Sequence, residues 1–264
     1  MKAIFHQCLN RNAPLFTHRV TCVARLLPLL LLLALPSVTQ AQDYIYRTNN
    51  GTITITGYIG SGGEVTITNI INGRPVTSIG INVFSECTHL TSVIIGTNIT
   101  NIGIGAFEYC SRLTSITIPN SVTNVGSNAF SDCTSLNNVT IGNSVISIGC
   151  AAFCRCNLTS VVIGNNVSDI GNYAFAHCNP TNVTIPNSVT VIGAYAFFDC
   201  TNLASATIPD NVTSIGVEAF SACTRLANVA IGNGVTNIGN TAFLECASLT
   251  GITVNASQSS PTGF

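Results

Sequence analysis

A register of three residue types runs through most of the 264-residue chain. A Phe recurs every 22 or 23 residues, with a Gly four positions before it and a Cys three positions after it, eight times without a miss. The members of this Phe column are Phe84, Phe107, Phe130, Phe153, Phe175, Phe197, Phe220 and Phe243. Such a register predicts a solenoid, in which each coil buries its apolar edge only by stacking on its neighbours.

One repeat, residues 113–133, indicates how a coil is built. Its sequence is LTSITIPNSVTNVGSNAFSDC. Leu113, Ile116 and Ile118 have the spacing of a short strand with an apolar inner side, and Thr117 points to the other side. The segment SNAF that contains Phe130 is interpreted as one or two turns of short helix. A single coil is too thin to cover its own apolar groups, so neighbouring coils must cooperate.

This unit resembles the 23-residue, BspA-like form of the leucine-rich repeat family, which is typical of exported surface proteins. The resemblance covers residues 77–254 and is equally clear in a second unit, LASATIPDNVTSIGVEAFSAC. It implies an α/β repeat solenoid, a right-handed leucine-rich-repeat coil of about eight repeats of 22–23 residues. Short strands would form one face and short helices the other. The resemblance also implies a role in adhesion or partner binding.

Two repeats depart from the unit. One residue is missing after Cys156 and again after Cys178, and Pro180 stands near the place of the usual Leu. Because Pro cannot donate a backbone hydrogen bond, we expect a loosened strand and a local kink there.

The flanking segments are less regular. Residues 42–76 alternate polar and apolar types around a Gly-rich turn at Gly60–Gly63, and we interpret them as N-terminal capping strands that shield the first coil from edge pairing. Residues 255–264 are expected to be a C-terminal tail. Either this tail covers the open end, or the chain is a shortened version of a longer array.

The first 41 residues have the pattern of a secretory signal peptide. Lys2, Arg11, Arg19 and Arg25 precede the apolar run 26–35, and small and polar residues follow up to Ala41. The apolar run is shorter than the roughly 20 residues needed to span a bilayer, which disfavours the alternative of an uncleaved anchor. Cleavage would leave a net charge of -5, because four of nine basic residues and none of ten acidic residues are lost. We therefore expect a secreted or cell-surface protein without membrane insertion and without nucleic-acid binding.

The cysteines allow several interpretations. The column of Cys at Phe+3 is favoured to be a ladder of buried thiols, whereas disulfides between neighbouring coils are an alternative in an oxidising compartment. Metal binding fits a linear column least. Cys150 and Cys154 lie outside the column and form C-x3-C-x-C with Cys156. A metal or redox site with His177 is an alternative there to two ordinary outward side chains.

No pattern in the sequence favours an enzyme, and no cofactor or metal is expected. Glu86, Asp132, Asp199 and Glu245 all lie two residues after a column Phe, and we interpret them as surface groups too far apart to share a proton. Asp132 is expected to pair with Arg155 of the next coil in an exposed contact that adds little stability.

The outward side of the repeated strand is the candidate binding surface. It is uncharged and rich in hydroxyl and amide groups, which suits recognition of a protein or glycan at a cell or matrix surface through many modest hydrogen bonds. One alternative is a purely structural envelope or matrix scaffold, with Thr and Ser serving only a solvated strand. A more remote alternative is ice or crystal-surface binding. The candidate binding residues are Ile94, Thr117, Thr140, Val162, Thr184, Thr207 and Thr253.

Overall fold

The computed structural model describes residues 43–254, and the regular elements of this part of the chain are twenty β-strands. From Phe84 onward each coil has three sides, which are a strand, a two-residue strand and a run of turns around the column Phe. The predicted signal peptide and C-terminal tail lie outside the described residues. The predicted solenoid of stacked coils is confirmed.

The first side, which we call the strand face, is built from parallel strands of successive coils. They pair as β3–β6, β8–β10–β12 and β14–β16–β18–β20. In β8, Ile116 and Ile118 are buried while Ser115 and Thr117 are exposed, as strand alternation requires. The strands are β3 (Gly63–Ile67), β6 (Leu90–Ile95), β8 (Ser115–Ile118), β10 (Asn138–Ile141), β12 (Ser160–Val162), β14 (Asn182–Thr184), β16 (Ser205–Ile208), β18 (Asn228–Ile231) and β20 (Gly251–Val254).

The second side is one continuous parallel ladder of short strands. Polar side chains reinforce it, since Asn101 Nδ2 donates to Ser78 Oγ at 3.1 Å and Asn124 Nδ2 donates to Asn101 Oδ1 at 3.0 Å. The strands are β5 (Arg74–Ile79), β7 (Asn101–Ile102), β9 (Asn124–Val125), β11 (Ser147–Ile148), β13 (Asp169–Ile170), β15 (Val191–Ile192), β17 (Ser214–Ile215) and β19 (Asn237–Ile238).

An antiparallel hairpin closes the N-terminal end of this ladder. Strands β1 (Tyr44–Asn49) and β2 (Thr52–Tyr58) are joined through Asn50 and Gly51, whose φ values of 47° and 80° suit a tight hairpin turn. Strand β2 then pairs in parallel with β5, and β4 (Ile70–Ile71) folds back on β5. The Gly-rich segment at Gly60–Gly63 is therefore not the hairpin turn; it is the corner between β2 in one sheet and β3 in another.

The third side contradicts the predicted short helices. We call it the turn column and define it as the residues from three before to two after each column Phe. Residues at Phe-2 and Phe+2 have positive φ in every coil, for example 55° at Asn128 and 58° at Asp132. Only glycine adopts this conformation freely, and an α-helix cannot contain it at two residues four positions apart.

Hydrogen bonding in the turn column explains why a helix does not form. The amides of Asn128, Phe130 and Asp132 donate to carbonyls of the next coil at 2.8, 2.8 and 2.9 Å. The intervening amides of Ala129 and Ser131 donate instead to the residue three before them, at 3.2 and 3.1 Å. Half of the amides are thus committed to the neighbouring coil, whereas a helix would direct all of them along its own chain.

The core is organised by the Phe column, whose eight rings line up inside the solenoid as predicted. Successive ring centroids lie 4.9–5.5 Å apart and successive ring planes differ by 1–11°. The Tyr58 ring, 4.9 Å from Phe84, continues the column into the N-terminal hairpin. Aromatic pairs of this kind contribute about 0.5–1.5 kcal/mol each beyond their buried area.

The strand face is interrupted at two places. Strands β12 and β14 are not paired, and the break coincides with Pro180, which is buried at the Leu position and has no N–H to donate. This agrees with the expected loosening of the strand. Strands β6 and β8 are also unpaired, with a Thr114 N to Thr91 O distance of 3.5 Å, and nothing in the sequence predicted this break.

Replacing Phe130 tests the energetic weight of the column. Phe130→Ala should lower the free energy of unfolding by about 3–5 kcal/mol, because it removes a fully buried ring and leaves a cavity between two others. Equilibrium urea unfolding followed by circular dichroism measures the loss. Tyr109→Ala is the matched control, because it removes an exposed ring of the turn column. It should lower the free energy of unfolding by about 1 kcal/mol or less. Equal losses in the two variants would contradict the assignment.

Candidate recognition surface

The seven candidate binding residues are all exposed on the strand face. Strand pairing places Thr117, Thr140 and Val162 side by side in one sheet. Thr184, Thr207 and Thr253 follow one another in the next sheet, with Ala230 between the last two. Paired strands lie about 4.8 Å apart, so neighbouring side chains within each sheet form a regular file.

Alternation along each strand holds these side chains outward. In β10, Val139 and Ile141 face the core while Asn138 and Thr140 face solvent. Strands β6 to β20 of this face carry no charged residue. Ile94 and Val162 add apolar area, since 63% and 54% of their surfaces are exposed. The arrangement is a surface of hydroxyl, amide and methyl groups on a hydrogen-bonded backbone.

The two interruptions divide this surface. Ile94 belongs to the β3–β6 sheet, so the seven residues are distributed over three sheets rather than one. Sequence reasoning predicted the outward orientation of each residue but not this division.

The Cys column consists of free thiols, as favoured from the sequence. Each thiol from Cys110 onward donates to the carbonyl of the column Phe in the preceding coil, for example Cys133 Sγ to Phe107 O at 3.1 Å. Burial raises the pKa of the Cys178 and Cys200 thiols, and raises that of Cys246 in the last described coil to about 11. The column therefore has a structural role in which sulfur serves as a buried hydrogen-bond donor.

The interpretation of Cys154 as an outward side chain is wrong. Its surface is 1% exposed, and burial raises the pKa of its thiol to about 12. It packs with Ala151, Tyr173 and Ala176, and Cys150 lies half-buried against this group. Among residues 43–254, no group of three or more His, Cys, Asp or Glu side chains is arranged to hold a metal ion.

The carboxylates of the turn column form local pairs. Asp132 Oδ1 lies 3.7 Å from Arg155 Nη1, which confirms the predicted ion pair. His177 Nδ1 contacts Asp199 Oδ2 at 2.9 Å, a pair that sequence reasoning missed although both residues occupy the Phe+2 position of adjacent coils.

An aromatic cluster on the turn column was also missed. The Tyr173 and Tyr195 rings stack at 4.6 Å, and Phe198 meets Tyr195 edge-on at 5.8 Å and His177 edge-on at 5.4 Å. Tyr173 and Tyr195 both lie at Phe-2 in adjacent coils. This shared position in the repeat was the available signal that the two rings could stack. The expected helix hid it, because a helix would have placed the rings at a different distance.

Stacked three-sided coils with a regular strand face define a solenoid repeat protein. The chain matches the BspA type leucine rich repeat region, in six copies, over residues 63–180 and 168–261. These matches cover most of the chain, which therefore belongs to the BspA-type leucine-rich repeat family. The resemblance inferred from the repeat unit is confirmed, and the match begins at residue 63 rather than 77.

Two of the solved structures that are similar to the chain have the same sequence identity to it. A leucine rich cell surface protein from Faecalibacterium prausnitzii A2-165 is 28% identical, with 81% of this chain and 75% of that chain covered and a TM-score of 0.52. A leucine rich repeat protein of T. pallidum is also 28% identical, with 80% and 90% covered and a TM-score of 0.61. No match was found among curated proteins. Within residues 43–254, no helix is long and apolar enough to cross a membrane.

Thiol reactivity tests the buried Cys column. The thiols within the stack should resist 5,5′-dithiobis(2-nitrobenzoic acid) in the folded protein, whereas the half-buried Cys246 should react faster because its end of the stack is more accessible. Cys246→Ser should remove one fast equivalent, and Cys200→Ser, the matched control, should leave the fast phase unchanged. Loss of a fast-reacting equivalent in Cys200→Ser would show that the Cys200 thiol is accessible and would contradict a closed column.

A half-buried carboxyl group, that of Glu108, gives a second test, through the pH dependence of stability. Burial is the main cause that raises the pKa of Glu108 from 4.5 to about 7, and the negative charge of Asp132 is the second. The folded state then binds a proton more tightly than the unfolded state, so the stability due to Glu108 is present below pH 4.5 and is lost as the pH rises towards 7. Glu108→Gln should flatten this part of a plot of unfolding free energy against pH. The exposed Glu64→Gln control should retain the wild-type slope, and an unchanged slope in Glu108→Gln would contradict the assignment.

Proposed function

We propose that this BspA-type repeat protein is a non-enzymatic, secreted or cell-surface protein that recognises a protein or glycan through its strand face. The observation that carries the proposal is the set of exposed, uncharged side chains on β6 to β20, which are in register within β8–β10–β12 and within β14–β16–β18–β20. Adhesion to a cell or matrix surface would follow from such recognition.

The chemistry of the face supports this proposal. Thr, Ser and Asn side chains donate and accept hydrogen bonds, and Ile94 and Val162 offer exposed apolar contacts. Protein interfaces combine hydrogen bonds with apolar contacts and have few charged residues at their centre. Because the strands are held by the stacked coils, little backbone conformational freedom would be lost on binding.

The proposed location has two supports. The first 41 residues have the pattern of a signal peptide, and the similar protein from Faecalibacterium prausnitzii is described as a cell surface protein.

A structural scaffold is the second candidate function. Side chains of the second side already bond the coils to one another, as in the Thr123 hydroxyl to Thr100 carbonyl bond at 3.1 Å and the Thr213 hydroxyl to Thr190 carbonyl bond at 3.2 Å. Polar repeat residues on that side therefore serve the stack itself. If the protein is a scaffold, the polar residues of the strand face also serve only the stack, and the protein has no specific ligand.

Lysine substitutions distinguish the two functions. The triple variant Thr140→Lys, Thr184→Lys, Thr207→Lys should abolish binding of the purified protein to immobilised glycans and matrix proteins, because three desolvated charges would enter the interface. Its circular dichroism spectrum and melting temperature should stay near those of the wild type, since the three positions are exposed.

The matched control places the same three charges elsewhere. Thr88→Lys, Thr134→Lys, Thr224→Lys lies in exposed bends after column Cys residues, away from the strand face. This control should bind as the wild type does. Equal binding by both triple variants and the wild type would favour the scaffold and reject recognition through the strand face.

A further inference from the structure

The net charge of the solenoid is concentrated on the turn column. Residues 43–254 contain ten acidic residues and five arginines. The turn column has one of the arginines, Arg155, so its formal charge of -5 equals that of the whole segment 43–254 when His is neutral. Its six acidic residues are Glu86, Glu108, Asp132, Asp199, Glu218 and Glu245.

An apolar cluster separate from the core lies within this acidic side. Ala151, Cys154, Tyr173 and Ala176 are buried together outside the main core, and Tyr195 and Phe198 are half-buried against them. The solenoid interior does not use these rings, because the Phe column already fills it.

Carboxylates border the half-buried rings. The Tyr195 hydroxyl donates to Glu218 Oε1 at 3.2 Å, which places that carboxylate at the rim of the cluster. Asp199 follows Phe198 directly and contacts His177, with 40% of the Asp199 side chain exposed. Arg155, the one arginine of the turn column, faces Asp132 at 3.7 Å.

We propose that this part of the turn column docks a cationic polypeptide segment. An arginine or lysine side chain of the partner would lie over Tyr195 and Phe198, whose ring faces attract cations, and would pair with Glu218 or Asp199 at the rim. Charge complementarity selects the occupant, since Glu218 and Asp199 border the rings and the nearby Arg155 is paired with Asp132.

This surface is distinct from the proposed recognition surface. The strand face has uncharged strands from β6 to β20 and would not attract a cationic segment. The two sides of a coil can therefore hold different partners, and loss of binding at one side would leave the other unaffected.

Fluorescence anisotropy with a labelled oligo-arginine peptide tests the proposal on the full purified chain. The peptide should bind, and added salt should weaken binding because it screens exposed charges. Tyr195→Leu keeps apolar volume but removes the aromatic ring, and it should weaken binding by about threefold or more. Glu218→Gln removes one rim charge without shortening the side chain and should weaken binding to a similar extent.

Two controls separate this site from general attraction to an acidic protein. Glu64→Gln removes the same charge from β3, on the strand face, and should leave the affinity unchanged. A glycine-serine peptide of equal length should not bind.

Specific outcomes overturn the proposal. Failure of the oligo-arginine peptide to bind would do so, as would equal weakening by Glu64→Gln and Glu218→Gln. Unchanged affinity in Tyr195→Leu would reject the role of the ring. If Tyr195→Leu proves unstable by circular dichroism, Phe198→Leu provides the same test at a position with ordinary backbone geometry.

Discussion

The stacking of phenylalanine rings sets the dimensions on which the rest of this solenoid depends. Successive centroids lie 4.9–5.5 Å apart, close to the 4.7–4.9 Å between hydrogen-bonded strands. One translation along the axis therefore satisfies both the ring contacts and the backbone hydrogen bonds. Because each coil contributes a single layer of apolar side chains, it relies on both neighbours to exclude water. The thiol donors of the Cys column bond to the Phe carbonyls and hold the same register.

The turn column depends on this support. Left-handed backbone at a non-glycine residue costs of the order of 1–3 kcal/mol, and it persists only where the surroundings enforce it. In most coils both Phe-2 and Phe+2 are of this kind, as at Tyr173 and His177. Their amides bond to the next coil at 2.9 and 2.7 Å. These inter-coil bonds and the buried Phe between them offset the unfavourable conformation.

Sequence reasoning identified the parts of the fold that depend on apolar spacing. The Phe column, the buried thiols and the outward strand positions follow from a register that repeats without a miss. The turns around Phe did not follow, because residues such as Tyr173 and Arg155 are not types that indicate left-handed backbone. Asn82, Gly105 and Asn128, which lie at Phe-2, were a partial signal for left-handed backbone at that position. The aromatic cluster and the break between β6 and β8 depend on contacts between coils that a single repeat does not contain.

The inter-coil hydrogen bonds of the turn column all run in one direction. In each coil from Phe84 to Phe220, the amides at Phe-2, Phe and Phe+2 donate to the following coil, which does not donate back through these positions. The peptide dipoles therefore add along the solenoid axis, as they do in a helix, with the amide end of every stack positive and the carbonyl end negative. The turn-column carbonyls of a coil accept from the amides of the coil before it. Its three amides at Phe-2, Phe and Phe+2 need the coil after it as their partner. The two ends of the turn column are therefore chemically different: a segment that packs on its C-terminal end meets hydrogen-bond donors, and one that packs on its N-terminal end meets acceptors.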